Sequence, residues 1–341
     1  MLKVKGQEKL MIKAAIIGLG WWGSHIVNTL QGKSDKITFV RGVDVTPDAV
    51  SSFAQSNGIE VTSDFVDVVS DPDLNAIVIA TPHSLHEEQI VAAAKAGKHV
   101  FCEKPLALTL ASAERSVAAC NEAGVVLGIG HERRFEPAMQ EIARLVESSE
   151  LGDIMHVEAN FSHDKLANLD ASNWRVSSIE SPAAAMTATG IHITDAYVSM
   201  FGPVKQLFAM TAKRNPANAN GDILNFNLRF KSGATGSFNS VLETPLYLRY
   251  AVFGSKAWVE ARDYSHPSEP GTTDLFISKS EGDIEKKTYK SVDTVRLNFE
   301  AWADAIYGIA DYPFSSAQKL ENIAVFEAIC QSAQTGLPIN L

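Results

Sequence analysis

Three glycines, an aspartate and a lysine are the first residues here whose types and spacing could do chemistry. Gly18, Gly20 and Gly23 form a Gly-x-Gly-x-x-Gly array at the end of the apolar run 14–17, with Trp21 and Trp22 between the last two glycines. In a strand, tight turn and helix, the first glycine turns the chain, the second admits a pyrophosphate and the third brings helix against strand. The free N–H groups and positive end of the helix then face the phosphates, with the two tryptophans beside them. Asp44 follows the strand-like run 37–43, where an acid hydrogen-bonds the adenosine ribose. A carboxylate there repels a 2′-phosphate, and no lysine or arginine stands within 45–48, so NAD is expected rather than NADP. The competing role for Asp44, a helix cap, is already filled by Thr46 with Pro47 at the first helical position. Lys104 stands in Glu103-Lys104-Pro105, directly after the apolar strand 99–102. A lysine is ordinarily a solvated surface charge; one set by proline at the cofactor side of a buried strand can donate to a reacting oxygen.

The elements that position these groups alternate. Residues 76–80 read as a strand, 86–96 as a helix, 99–102 as a strand, 112–123 as a helix and 125–129 as a strand, which predicts an α/β Rossmann domain with a doubly wound parallel sheet. Ligands of such sheets bind beyond the carboxyl ends of the strands. That rule makes Thr81, Pro82, His83 and His86, in the loop after strand 76–80, candidate cofactor contacts. His83 and His86 read equally well as helix-start residues or internally satisfied polar groups. From about residue 151 the texture changes to longer strands at 154–161, 204–212, 223–230 and 234–241, with a hairpin at Lys231-Ser232-Gly233. This half reads as an α+β domain with a mostly antiparallel sheet. The expected division is 1–133 for NAD(P) binding and 134–341 for substrate binding and oligomerisation, with the chain passing directly from strand into helix near 131–137. Residues 1–10 read as a flexible arm, or as an upstream start with Met11 beginning the core. Phe226, Phe230, Phe238 and Trp258 alternate as core or interface residues.

At 341 residues, 45% hydrophobic and 21% charged, the chain is long enough for two cores. A net charge of −10 argues against nucleic acid and anionic membrane surfaces. No apolar stretch reaches membrane-spanning length, and the first residues lack a signal-peptide apolar region. Cys102, Cys120 and Cys330 show no metal-ligand spacing and read as reduced thiols, which predicts a cytoplasmic protein without metal.

Gly18-x-Gly20-x-x-Gly23, Ala80-Thr81-Pro82 with His86, Ala96-Gly97-Lys98-His99-Val100 running into Glu103-Lys104-Pro105-Leu106, Arg134-Phe135, Trp174-Arg175 and Gly190-x-His192-x-x-Asp195 together resemble the Gfo/Idh/MocA oxidoreductases, the group of glucose-fructose oxidoreductase and inositol dehydrogenase. The similarity spans nearly the whole chain, including 317–338. It implies a Rossmann domain followed by a domain with a large open-faced, mostly antiparallel sheet that builds homodimers or homotetramers. It also implies NAD(P)-linked oxidation or reduction at a sugar or cyclitol carbon. By the same resemblance Glu103 and Lys104 sit at the cofactor, Lys104 meets the reacting oxygen, and His192 is the histidine of the substrate side. One position departs: many members read Asp-x-Gly-x-His, and the aspartate works beside the histidine in proton transfer, but here that position is Ala188. The glycine pair usual upstream is replaced by Ala183 and Ala184.

Alcohol oxidation needs a base for the hydroxyl proton, and carbonyl reduction needs a donor. A histidine with an ordinary pKa of about 6.5 can do either, so His192 predicts a single histidine-like titration in the rate. Asp195 lies one helical turn on and either orients the imidazole or stabilises the helix start. Arg134 and Arg175 suit a substrate carboxylate or phosphate and Trp174 a ring wall; these residues and Arg133 equally suit packing and boundary ion pairs. Three functions remain: an NAD-dependent dehydrogenase of a polyol or sugar-like compound, a lyase or glycosidase using transient oxidation, or a catalytically silent dinucleotide sensor, suggested by Ala188. Too few helices follow residue 150 to cover both faces of the second sheet, so an apolar face that pairs with another copy is expected.

Overall fold

Short, almost wholly apolar runs become parallel strands because both faces of such a sheet are covered. The computed structural model describes residues 11–341 other than 168, 171, 172, 217 and 219, so the arm at 1–10 lies outside the described residues. Strands β1 (Ile12–Ile17), β2 (Ile37–Val43), β3 (Glu60–Thr62), β4 (Ala76–Ile79), β5 (His99–Cys102) and β6 (Leu127–Ile129) form a parallel sheet in the order β3-β2-β1-β4-β5-β6. The direction of winding reverses between β1 and β4, which opens the crevice where dinucleotides bind. Helices α1 (Trp21–Leu30), α2 (Pro47–Ser56), α3 (Phe65–Ser70), α4 (His86–Lys95) and α5 (Leu110–Ala123) connect the strands. Helix α5 begins two residues before its expected start because the Thr109 side chain caps it, accepting the Ser112 N–H.

Two glycines of the first turn are sterically required. Gly18 sits at φ +90°, and a Cβ there would lie 2.8 Å from the Ala80 carbonyl oxygen. A Cβ on Gly23 would lie 1.9 Å from the Gly18 carbonyl oxygen. Gly23→Ala therefore pushes α1 off β1, and we expect it to cost about 1–3 kcal/mol in denaturant unfolding and to weaken nucleotide binding in the same preparation.

The second sheet contains β7 (Ile154–Ser162), β8 (Val204–Ala212), β9 (Ile223–Phe230), β10 (Thr235–Val241), β11 (Tyr247–Gly254), β12 (Trp258–Asp263), β13 (Thr272–Ser280), β14 (Asp283–Lys290) and β15 (Ile339–Asn340). Their order is β14-β13-β12-β11-β7-β10-β9-β8-β15, antiparallel except for the β7–β10 pair. Helices α6 (Pro137–Glu147), α7 (Ile191–Phe201) and α9 (Ser316–Thr335) pack on one face. A 3-10 turn over Glu132–Phe135 separates β6 from α6, where a direct passage was expected. Helix α8 (Thr294–Ile306) instead crosses back to the first sheet, where Phe299 stacks on Phe101 at 3.8 Å between ring centroids and Trp302 fills the space beside Gly128.

The open face of these strands is mixed in polarity rather than wholly apolar. Phe226, Phe230 and Phe238 all point toward the helices and are buried. Alternation then sends Asn225, Asn227 and Arg229 to the other side, where Asn225 bonds Asn239 and Arg249 pairs with Glu158 and Glu260. Half-buried Phe253, Trp258 and Phe276 lie among these polar groups. Among the described residues, no helix is long and apolar enough to cross a membrane, and no group of three His, Cys, Asp or Glu is placed to hold a metal ion.

Candidate active site

The residues after β4, β5 and β6 and the start of α1 border a cleft of about 570 Å³ whose far wall comes from the second sheet and its loops. At one end, Gly20 caps α1 without a side-chain hydrogen bond, and nothing lies within 4 Å of where its Cβ would be. That open backbone beside a helix N-terminus fits a dinucleotide pyrophosphate. Trp21 and Trp22 border the cleft, stacked with His25. Asp44 ties the turn itself: one carboxylate oxygen accepts the Leu19 N–H at 3.0 Å, the other the N–H and hydroxyl of Thr46. Thr46 consequently gives α2 no side-chain cap, contrary to expectation, although Pro47 does open the helix. The Thr46 hydroxyl is engaged by Asp44 instead.

Lys104 precedes a cis peptide bond to Pro105 and turns its Nζ to the Thr187 carbonyl, 3.2 Å away. Burial lowers its pKa, while the Glu132 and Glu103 carboxylates raise it. Glu103 is pushed up to about 8, first by burial and then by Glu132. A Cβ on Gly130 would fall 2.5 Å from the Glu103 carboxylate, so a glycine at that position makes room for it.

Thr81 lines the cleft and donates its hydroxyl to Gln89, while Pro82 leads into the 3-10 turn His83–Leu85. His83 also lines it, with Nδ1 2.6 Å from the Glu180 carbonyl and its ring edge-on to Trp174. The Glu180 carboxylate accepts the Ser84 N–H and hydroxyl, which clasps the substrate-side loop to the cofactor-side loop. His86 behaves differently. It is fully buried, with Nδ1 2.9 Å from the Pro105 carbonyl and Nε2 3.1 Å from that of Thr81, so it joins two loops beneath the cleft rather than facing a ligand.

The far wall is a π-turn, Met186–Gly190, leading into α7. Ala183 and Ala184 both sit at φ +54°, a left-handed conformation that costs a residue with a side chain roughly 1–2 kcal/mol. Thr187 and Ala188 face the cleft, followed by His192. His192 is buried, and its Nδ1 has no partner among the described residues. Burial, then Lys104, His131 and Arg133, hold its pKa well below the usual histidine value. Trp174 and Arg175 complete this wall, the guanidinium 4.2 Å over the indole.

Asp195 does not orient His192. Its two oxygens accept from Nη2 and Nε of Arg134 at 2.6 and 2.7 Å, and this pair lines a separate cavity of about 790 Å³ behind α7. Arg134 also lies over Phe314 and donates to the Pro313 carbonyl. Glu132 and Glu180 were missed by motif reading. The strand-end rule that pointed to the loops after β4 and β5 also covers the turn after β6, and would have found Glu132; Glu180 carried no such signal.

Residues 12–131 match an oxidoreductase family with an NAD-binding Rossmann fold, and residues 139–260 match the Gfo/Idh/MocA C-terminal domain. The chain is 30% identical over 341 residues to an uncharacterized oxidoreductase of Bacillus subtilis (strain 168), covering 97% of this chain and 96% of that one. It is 27% identical over 291 residues to the 1,5-anhydro-D-fructose reductase of Ensifer adhaerens, 84% of this chain and 86% of that one. The WlbA dehydrogenase of Bordetella pertussis, solved with NADH and UDP-GlcNAcA, shares the fold with a TM-score of 0.81 at 25% identity over 97% of this chain and 99% of that one. With both sheets in place and both halves matched, the chain belongs to the Gfo/Idh/MocA family of oxidoreductases.

Proposed function

We propose that the chain is an NAD-dependent dehydrogenase or reductase acting on a sugar, cyclitol or related cyclic hydroxy or keto compound. One observation carries this reading: a single cleft joins the start of α1 at Trp21 and Trp22, directly after the glycine turn, to Lys104 and His192. A bound nicotinamide supplies the two-electron acceptor or donor. Gly18, Gly20, Gly23 and Asp44 would hold its adenosine diphosphate half, with Thr81, His83 and Glu103 bordering the nicotinamide half. Lys104 uses one donor on Thr187 and has two more for a substrate oxygen. His192, kept neutral by burial, accepts or donates a hydrogen bond at that oxygen, and Trp174 with Arg175 walls the substrate ring. A sugar-like substrate is supported by the anhydrofructose reductase and the sugar-nucleotide complex among the relatives.

The same reading assigns 1–133 to cofactor and 134–341 to substrate, with α8 returning to the first sheet. It includes a cytoplasmic location, consistent with three unpaired cysteines. It also includes self-association as a dimer or tetramer through the open face around Arg249, Phe253 and Trp258.

NAD is expected to bind more tightly than NADP. Asp44→Ala should weaken NAD by about ten- to a hundredfold and narrow the gap; tighter NADP binding by the unaltered protein would overturn the assignment. Across a panel of polyols and keto-sugars, a lasting stoichiometric change at the nicotinamide absorbance band is the expected result. Turnover without net NADH would instead indicate transient oxidation, and binding without turnover a silent sensor.

A further inference from the structure

We propose that Glu132 holds the proton released when the alcohol is oxidised, receiving it through Lys104; the inference rests on the hydride-transfer reading above. Strands β5 and β6 are neighbours, with Cys102 opposite Ile129, so the residues just past their ends meet. Glu103 and Lys104 follow β5, Glu132 follows β6, and all three line the same cleft, where the Lys104 ammonium rests on the Thr187 carbonyl within the field of both carboxylates. Their hydrogen bonding is unequal. Glu103 accepts the Lys104 backbone N–H at 3.3 Å, whereas Oε2 of Glu132 is buried with no donor among the described residues. A buried carboxylate oxygen without a donor favours the protonated group.

The charges around Glu132 leave Lys104 as its main cation. From its own turn comes Arg133, but that guanidinium is already 3.0 Å from Glu136 and 3.6 Å from Asp263. Asp195 on α7 adds a further negative charge, and α8 contributes the neutral Asn298. Arg175, His131 and His192 also feel the charge of Lys104 or act on it. Burial pushes Glu132 up as it does Glu103.

The reaction fits this arrangement in charge. The carbinol C–H bond breaks and its electron pair leaves with hydrogen as hydride to the oxidised nicotinamide, the oxidant. The O–H bond breaks and its proton goes to Lys104 as the Lys104 ammonium gives one of its own protons to Glu132, so the lysine is an ammonium before and after. With both carboxylates and the ammonium ionised the cluster carries one negative charge, which the oxidised nicotinamide neutralises. Reduction removes that positive charge, and a proton on Glu132 restores the balance. The NADH complex should therefore contain about one more bound proton than the NAD complex.

Titration calorimetry of the full chain with NAD and with NADH near neutral pH, in buffers of different ionisation enthalpy, reads this proton directly. The expected difference is about one proton in the unaltered protein, falling below about a quarter in Glu132→Gln and retained in Glu132→Asp. Equal proton counts for the two nucleotides, or an undiminished difference in Glu132→Gln, would overturn the proposal. Failure of either nucleotide to bind the unaltered protein would refute the hydride-transfer reading instead.

Discussion

Lys104→Ala is expected to lower kcat about a hundred- to ten-thousandfold while leaving the melting temperature within about 4 °C of the unaltered protein. The two effects separate because of where the lysine sits. Burying an ammonium costs desolvation energy that its attraction to Glu103 and Glu132 only partly offsets, as its lowered pKa records. Removing it therefore relieves one cost while it creates a small cavity and leaves two carboxylates without their cation. Those carboxylates can respond by binding protons, Glu103 already lying near 8. Catalysis has no such escape, since Lys104 is the side chain that carries an ammonium from the β5 end to the Thr187 turn. Lys104→Met fills most of the volume and should show the same kinetic loss with even less change in melting. Turnover of a verified substrate at the original rate in either variant would make the lysine structural.

Much of this was legible because it depends on local pattern. The run Ala76–Ile79 is buried at every position, which only a two-sided parallel strand requires, and Gly18-x-Gly20-x-x-Gly23 specifies a turn by where Cβ atoms cannot go. What escaped depends on distant partners. Nothing in the amphipathic stripe of Val295, Phe299 and Trp302 says which sheet it covers, and it covers the earlier one. Asp195 has the right spacing to face His192, yet both its oxygens are taken by the bidentate guanidinium of Arg134. Ala183 and Ala184 show the reverse: the backbone keeps the left-handed conformation that glycines would adopt freely, although neither residue favours it. Glu132 looks in sequence like any acidic residue at a helix start, and only burial beside Lys104 gives it a chemistry.

His192→Asn is expected to lower alcohol oxidation about tenfold to a thousandfold with NAD affinity unchanged, because the ring stands on the substrate wall and contributes alignment at the reacting oxygen. The pH dependence distinguishes its role from that of the lysine cluster. A histidine held well below its ordinary pKa is already neutral throughout the neutral range, so its titration is absent there. A group that must be deprotonated to take up the substrate proton loses activity as pH falls through its own pKa. The rising limb in the unaltered protein should accordingly lie nearer the Glu103 value of about 8 than the histidine value of about 6.5 that the sequence predicts, and belong to the coupled Glu103, Lys104 and Glu132 groups. His192→Asn should keep that limb in place while reducing the plateau. Ala188→Asp adds a carboxylate next to the same cleft and should shift the limb, with a gain in plateau if the space is free and a loss if substrate fills it. A limb near 6.5 that vanishes in His192→Asn would return the base to His192; full activity in that variant would remove the histidine from the chemistry and leave proton transfer to Lys104.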